Sequence, residues 1–183
     1  GLASSFVPYY IFGTIVSGSP SMGISAVGLL SAMVVLTGAV SAIPISFFAN
    51  AFGKPKAIIL GAICLILTGL PMWIFNPITL GSWAIIVPLL VIYGVGRAVW
   101  ETINKAVFVD FFAEDYDKNA SAFSAATFAN GYASGMAYIT YSYMSTAQMT
   151  SVLVFACAVG LFAYLQAFSA QDKYRQRMRA EAE

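Results

Sequence analysis

Residues 57 to 75 read AIILGAICLILTGLPMWIF, a run of nineteen residues without a charged side chain. A helix rises 1.5 Å per residue, so this run is about long enough to cross the roughly 30 Å hydrocarbon core of a bilayer. It follows Lys54 and Lys56 and ends before Asn76 and Pro77. The stretch therefore predicts a transmembrane helix rather than a buried helix of a soluble domain.

Five other segments of the chain share this apolar character. They lie at about residues 4–16, 24–48, 83–112, 120–141 and 151–168, the first being shortened. Charged residues make up 9% of the 183 residues and hydrophobic residues 60%, whereas a soluble domain carries about 25% charged residues. The sequence predicts an all-α integral membrane protein, with a six-helix transmembrane bundle in residues 1–170 and a basic tail in residues 171–183.

Charge alternates between the predicted connectors. The loops SGSPSMG, NPITLGS and SYMSTAQMT contain no charged residue, whereas the other two connectors and the tail contain most of the lysines and arginines. Lys and Arg are retained on the cytoplasmic side, so the multi-pass chain is expected to have its C-terminus in the cytoplasm or the organelle equivalent, in a membrane that the sequence does not specify. The tail is interpreted as a topology anchor at anionic head groups, with a partner-docking helix as the alternative.

The start of the chain and the absence of common catalytic groups limit its function. Gly1 opens directly into an apolar segment without a basic region or cleavage site, which predicts a fragment or the ordered part of a longer protein rather than a signal peptide. There is no histidine, no phosphate-binding glycine loop and no metal-ligand spacing, and Cys64 and Cys157 lie in apolar runs. We expect no enzyme, no cofactor and, at a net charge of +1, no nucleic-acid partner.

Residues 93 to 105, YGVGRAVWETINK, place charges inside the fourth apolar segment. Helical spacing puts Arg97, Glu101 and Asn104 on one stripe, with Lys105 at its edge and Gly94 one turn earlier, where another helix is expected to approach. A charge within a membrane costs roughly 2.5 to 3.5 kcal/mol and must face a partner or water. Two interpretations stay open, namely a polar cavity, gate or coupling pair, and a structural charge pair that ties helices together.

The fifth segment continues the polar pattern with small side chains. Its serines, Thr127, Asn130 and Gly131 fall on one face at spacings of three and four. Such a face is typical of close helix packing in membranes. We therefore expect Asn130 to be a buried amide with partners on a facing helix.

Two motifs resemble a known transporter superfamily. The turn Gly53-Lys54-Pro55-Lys56 resembles the short basic loop after the second helix of each half of a major facilitator superfamily protein. Residues 94–104 and 119–123 resemble the uncoordinated-ninety-three-like branch of that superfamily. The chain departs from the branch pattern by having Arg97 where an acid is usual and Glu101 where Gln is usual.

The resemblance implies a parent of two six-helix halves, of which this chain would be the C-terminal one, with a substrate path between the halves. The implied function is a facilitator-type transporter that moves a small solute by alternating access. Its partners would be the lipid bilayer and the N-terminal six-helix half or another membrane protein. The alternative is a non-transporting accessory, scaffold or regulatory subunit of a larger membrane complex, because the branch also contains channel regulators and trafficking chaperones.

Overall fold

A computed structural model describes residues 2–16, 25–111 and 116–182. All regular structure in these ranges is helical. The elements are α1 (Leu2–Phe6), a π-helix (Val7–Val16), α2 (Ser25–Phe52), α3 (Lys54–Gly69), α4 (Pro71–Ile74), α5 (Pro77–Leu80), α6 (Trp83–Phe111), α7 (Tyr116–Tyr141) and α8 (Thr146–Ala182). The last helix continues without a break from the sixth predicted span into the predicted tail.

Four segments are long and apolar enough to cross a membrane: Ser25–Phe52, Lys54–Ile74, Trp83–Val107 and Thr146–Ala170. They correspond to the second, third, fourth and sixth predicted spans, and they confirm a helical chain suited to a bilayer. The helical segment Leu2–Val16 is shorter than a bilayer core, and α7 has the length but carries many Ser, Thr and Asn residues. Neither segment therefore combines the length and the hydropathy of a membrane-spanning helix.

Helices α2 and α3 are joined through Gly53 alone. The residue has φ of 94° and ψ of 148°, a combination that side chains with a Cβ rarely adopt. Its N–H donates to the carbonyl of Ala49 at 2.9 Å, and its own carbonyl accepts from the N–H of Ala57 at 3.4 Å. A proline in the first turn of α3 suits a helix start. The Gly-Lys-Pro-Lys motif thus encodes a reversal of the chain within a single residue.

Helix α6 lies at the centre of the bundle because glycines allow its neighbours to approach. A Cβ added at Gly94 would lie 3.0 Å from the Cβ of Thr37 on α2. On the other side, a Cβ added at Gly61 of α3 would lie 2.7 Å from Cγ1 of Val99. The prediction that a helix approaches Gly94 is confirmed, and that helix is α2.

Two hydrogen bonds between elements define the ends of the bundle. At the end that contains Gly53, hereafter the charged end, Lys54 Nζ donates to the carbonyl of Ala106 at 3.2 Å. At the opposite, uncharged end, Trp73 Nε1 donates to the carbonyl of Ala147 at 3.2 Å. The C-terminal part of α6 therefore lies beside the start of α3, as expected for consecutive antiparallel helices. Which end faces the cytoplasm stays a prediction.

The buried apolar residues form two clusters, one towards each end. The cluster at the uncharged end brings together α1, the π-helix and parts of α2, α6, α7 and α8, including Phe6, Tyr10, Tyr93 and Tyr141. The cluster at the charged end contains Ile45, Ala49, Ala57, Ile58, Ala98, Val99, Ile103 and Val107. Among the side chains that the structure describes, the buried residues of α7 belong to the first cluster.

Candidate functional site

An ion pair lies on α6, within the part of the helix that is suited to cross a membrane. Arg97 Nε and Glu101 Oε1 are 2.6 Å apart, one helical turn from each other. Their side chains are 42% and 56% exposed, respectively. The pair is therefore formed as the spacing predicted, and much of each charged side chain is left uncovered by the described residues.

The position of the pair along α6 makes its exposure significant. Arg97 is about 21 Å from Trp83 along the helix axis, and Glu101 is about 9 Å from Val107. Both lie within Trp83–Val107, the part long and apolar enough to span a bilayer. Since charged groups are costly in hydrocarbon, this face of α6 is suited to water or to another protein, not to lipid.

Two buried polar atoms flank the ion pair. Trp100 Nε1 and Asn104 Oδ1 are both inaccessible to solvent and have no hydrogen-bond partner among the described residues. An unsatisfied buried donor or acceptor costs about 1–3 kcal/mol. The Trp100 ring packs edge-on against Tyr164 of α8, with ring centroids 5.4 Å apart. The sequence predicts Asn104 on the same face of α6 as the ion pair but does not single out Trp100, because an aromatic residue in an apolar helix is typical of packing alone.

Asn130 is placed differently from the prediction. It is exposed, although Ala137, two turns later on the same face of α7, is fully buried and Tyr141 is 1% exposed. A Cβ added at Gly131 would meet no atom within 4 Å. The described residues of this chain therefore do not make the close packing expected around Asn130.

Several contacts hold α7 against the rest of the bundle. Tyr141 donates its hydroxyl hydrogen to the carbonyl of Leu2 at 3.3 Å, and Ser5 Oγ donates to the carbonyl of Ser134 at 3.2 Å. The ring of Phe6 lies edge-on to that of Tyr141, with centroids 6.3 Å apart. These contacts all involve α1 and the last turns of α7. They fix the C-terminal part of α7 against α1.

Glu101 on α6 and Asn130 on α7 are both exposed. Tyr93, about two turns before Glu101 on α6, is 3% exposed. We call Arg97, Glu101, Asn104 and Asn130 the polar stripe.

The predicted loop motif lies apart from the polar stripe. Lys54 reaches the carbonyl of Ala106 at the end of α6, and Lys56 Nζ lies 5.9 Å from the centre of the Phe52 ring. Both lysines are held at the charged end by the Gly53 turn. They are therefore anchoring groups at the end of the bundle and do not contact the ion pair.

Family models, curated proteins and solved structures give no match to this chain. The described residues also contain no group of three or more His, Cys, Asp or Glu side chains able to hold a metal ion. The function must therefore be argued from the polar stripe and its setting in the bundle.

Proposed function

We propose that this chain is the C-terminal six-helix half of a facilitator-type transporter that moves a small solute by alternating access. In this proposal α1 with the π-helix supplies the first span, α7 supplies the fifth, and the polar stripe lines the solute path. The observation that carries the proposal is the half-exposed Arg97–Glu101 pair within a membrane-spanning helix. A transporter needs such a surface, because its solute site lies at depth and faces water.

The contrast with α2 supports this interpretation. The exposed side chains of α2 include Leu36, Val40 and Phe47, which are 64%, 63% and 71% exposed. These are side chains that hydrocarbon solvates well. The exposed surface of α2 is therefore suited to lipid, whereas the surface of α6 around Arg97 and Glu101 is suited to water or protein.

The two ends of the polar stripe also differ in a way that fits alternating access. Towards the uncharged end, Tyr93 and the cluster around Phe6, Tyr10 and Tyr141 close the bundle. Towards the charged end, Glu101 and Asn130 are exposed. This asymmetry supports a conformation whose solute path is open towards the charged end and closed at the other.

A non-transporting accessory subunit is the second candidate, and the open face of α7 favours it. Cβ atoms added at Gly131 and Gly135 would meet nothing within 4 Å. Glycines on a membrane helix usually mark the place where another helix packs. In this reading a partner protein, instead of a water-filled path, covers α7 and the ion pair.

Thiol labelling of single cysteines in the native membrane distinguishes the two functions. The background is C64A/C157A, since both natural cysteines are buried. Asn130→Cys tests the polar stripe, Leu36→Cys is the control on the exposed apolar surface of α2 and Ala98→Cys is the buried control. A membrane-impermeant methanethiosulfonate reagent should modify Asn130→Cys and neither control.

The reagent is then applied to each side of the membrane separately. Alternating access predicts that Asn130→Cys reacts from both sides, because the path opens to each in turn. An accessory subunit predicts protection from both sides that is lost once detergent removes the partner. Protection that persists in the separated chain would contradict the transporter proposal and also the idea of a partner-covered surface.

A further inference from the structure

We infer that the polar stripe selects a small zwitterionic solute, with its acidic group on Arg97 and its protonated amine on Glu101. This inference rests on the proposed transport function and names the solute class of the same site. Three features of the ion pair support it. They are the hydrogen-bonding atoms that the pair leaves unused, the exposure of the two side chains, and the zero net charge of the pair.

Arg97 has an unused anion-binding edge. Its contact with Glu101 is made through Nε, and within the part of the chain that the structure describes neither Nη group has a hydrogen-bond partner. The guanidinium is planar, and its paired N–H groups match the two oxygens of a carboxylate. With 42% of the side chain exposed, this edge is accessible to a solute.

Glu101 has a corresponding free acceptor. Only Oε1 contacts Arg97, and Oε2 has no hydrogen-bond partner in residues 2–16, 25–111 and 116–182. A protonated primary amine carries three donors and no acceptor, so it fits this oxygen. Because Arg97 and Glu101 are in contact, the two charged groups of the solute must also lie close together, as they do on an α-amino acid.

The net charge of the pair decides between solute classes. Arg97 and Glu101 cancel each other, so a simple anion or a simple cation would leave one uncompensated charge within the span. An isolated charge in a low-dielectric setting is strongly disfavoured. A zwitterion adds one charge of each sign and keeps the site neutral.

Solute truncation tests the inference on the purified protein with whatever membrane partner it carries. The probes are leucine, 4-methylpentanoate, which lacks the amine, and 3-methylbutylamine, which lacks the carboxylate. Glycine and phenylalanine, each with its two truncated counterparts, extend the series to smaller and larger side chains. Binding is measured by titration calorimetry. Each amino acid that fits should bind roughly tenfold to hundredfold more tightly than either truncated counterpart, the range expected for one charged hydrogen bond.

Charge variants then change the preference in opposite directions. Glu101→Gln leaves Arg97 uncompensated and should favour the carboxylate, whereas Arg97→Gln should favour the amine. Lys105→Gln is the matched control, since Lys105 is exposed at the edge of the stripe and forms no part of the pair. It should keep the preference for the amino acid.

Several outcomes would overturn the inference. They are the absence of binding by all three amino acids, equal binding of zwitterions and truncated compounds, and charge variants whose preferences match those of Lys105→Gln. The wild-type comparison needs no variant, so it decides even if a variant fails to fold. If Asn130→Cys reacts from both sides while no zwitterion binds, the inference fails and the transport proposal stands. If Asn130→Cys is protected, the transport proposal itself fails.

Discussion

A Cβ atom added at Gly61 of α3 would lie 2.7 Å from Cγ1 of Val99 on α6, too close for any side chain to fit without movement. Val99 is fully buried and belongs to the apolar cluster at the charged end. The close crossing of α3 and α6 therefore depends on the missing side chain at Gly61, and also on Gly96 of α6, where an added Cβ would lie 3.0 Å from the Cβ of Cys64. A tight helix crossing of this kind gives a direct prediction for stability.

We predict that Gly61→Ala destabilises the protein by about 1–3 kcal/mol, because the added methyl group overpacks the crossing. Gly160→Ala is the matched control, since a Cβ at Gly160 of α8 meets no atom within 4 Å. Reversible unfolding in mixed detergent micelles measures both. Equal unfolding free energies for the two variants would show that α3 and α6 are further apart than described.

The Gly53 turn gives a second prediction. Gly53→Ala should cost about 1–3 kcal/mol, since φ of 94° with ψ of 148° is strained for a residue with a Cβ. Lys56→Ala, three residues later at an exposed position, should cost much less. Thermal unfolding midpoints report both changes. A midpoint for Gly53→Ala equal to that of the wild type would mean that the reversal is not confined to this residue.

The ion pair gives a prediction that separates its two interpretations. Because Arg97 and Glu101 are each about half exposed, a double-mutant cycle with Arg97→Gln and Glu101→Gln should give a coupling energy of roughly 1 kcal/mol or less, as for solvated pairs. The unfolding free energies of the two single variants and the double variant supply the cycle. A coupling of several kcal/mol would instead indicate a dry structural pair that ties helices together.

The open face of α7 gives a fourth prediction, about assembly. Gly131→Leu should leave the stability of this chain within about 0.5 kcal/mol, since no atom lies near the position. If a partner helix packs on this face, as the accessory-subunit function requires, the added side chain should weaken that association, because a glycine face allows close approach. Co-purification from membranes under mild detergent measures the association, and Gly160→Leu on α8 is the control. Retained association in both variants would show that the glycine face of α7 is not an interface.

The apolar runs were sufficient to predict the four long membrane-suited helices, because bilayer thickness imposes a length and composition that few other structures share. The ion pair between Arg97 and Glu101 on α6 is also predictable from the sequence, since residues four apart on a helix are neighbours. The sequence predicts a buried Asn130, whereas the side chain is exposed. The spacing of polar residues on that face of α7 is the same whether or not another helix covers it. The covering depends on contacts between helices distant in sequence, such as that of Phe6 in α1 with Tyr141 in α7, and local sequence does not encode that choice of partners.

Trp100 illustrates a further limit. The sequence marks it as an ordinary apolar packing residue, and its ring does pack on Tyr164. Its unpaired indole N–H becomes visible only when the neighbours on every side are known. Whether a buried polar atom has a hydrogen-bond partner depends on the whole bundle and cannot be predicted from one helix alone.

The unbroken course of α8 has a mechanical consequence. Its 37 residues extend about 55 Å, so the helix is nearly twice as long as a bilayer core is thick. Residues 171–182 form a stiff arm of about 18 Å beyond the segment suited to the membrane. Tyr164, which contacts Trp100 beside the ion pair, lies on the same rod. A partner that binds residues 171–182 and tilts them would move Tyr164 as part of the same helix. Through the contact between Tyr164 and Trp100, this movement would displace α6 near Arg97 without any change in the bilayer.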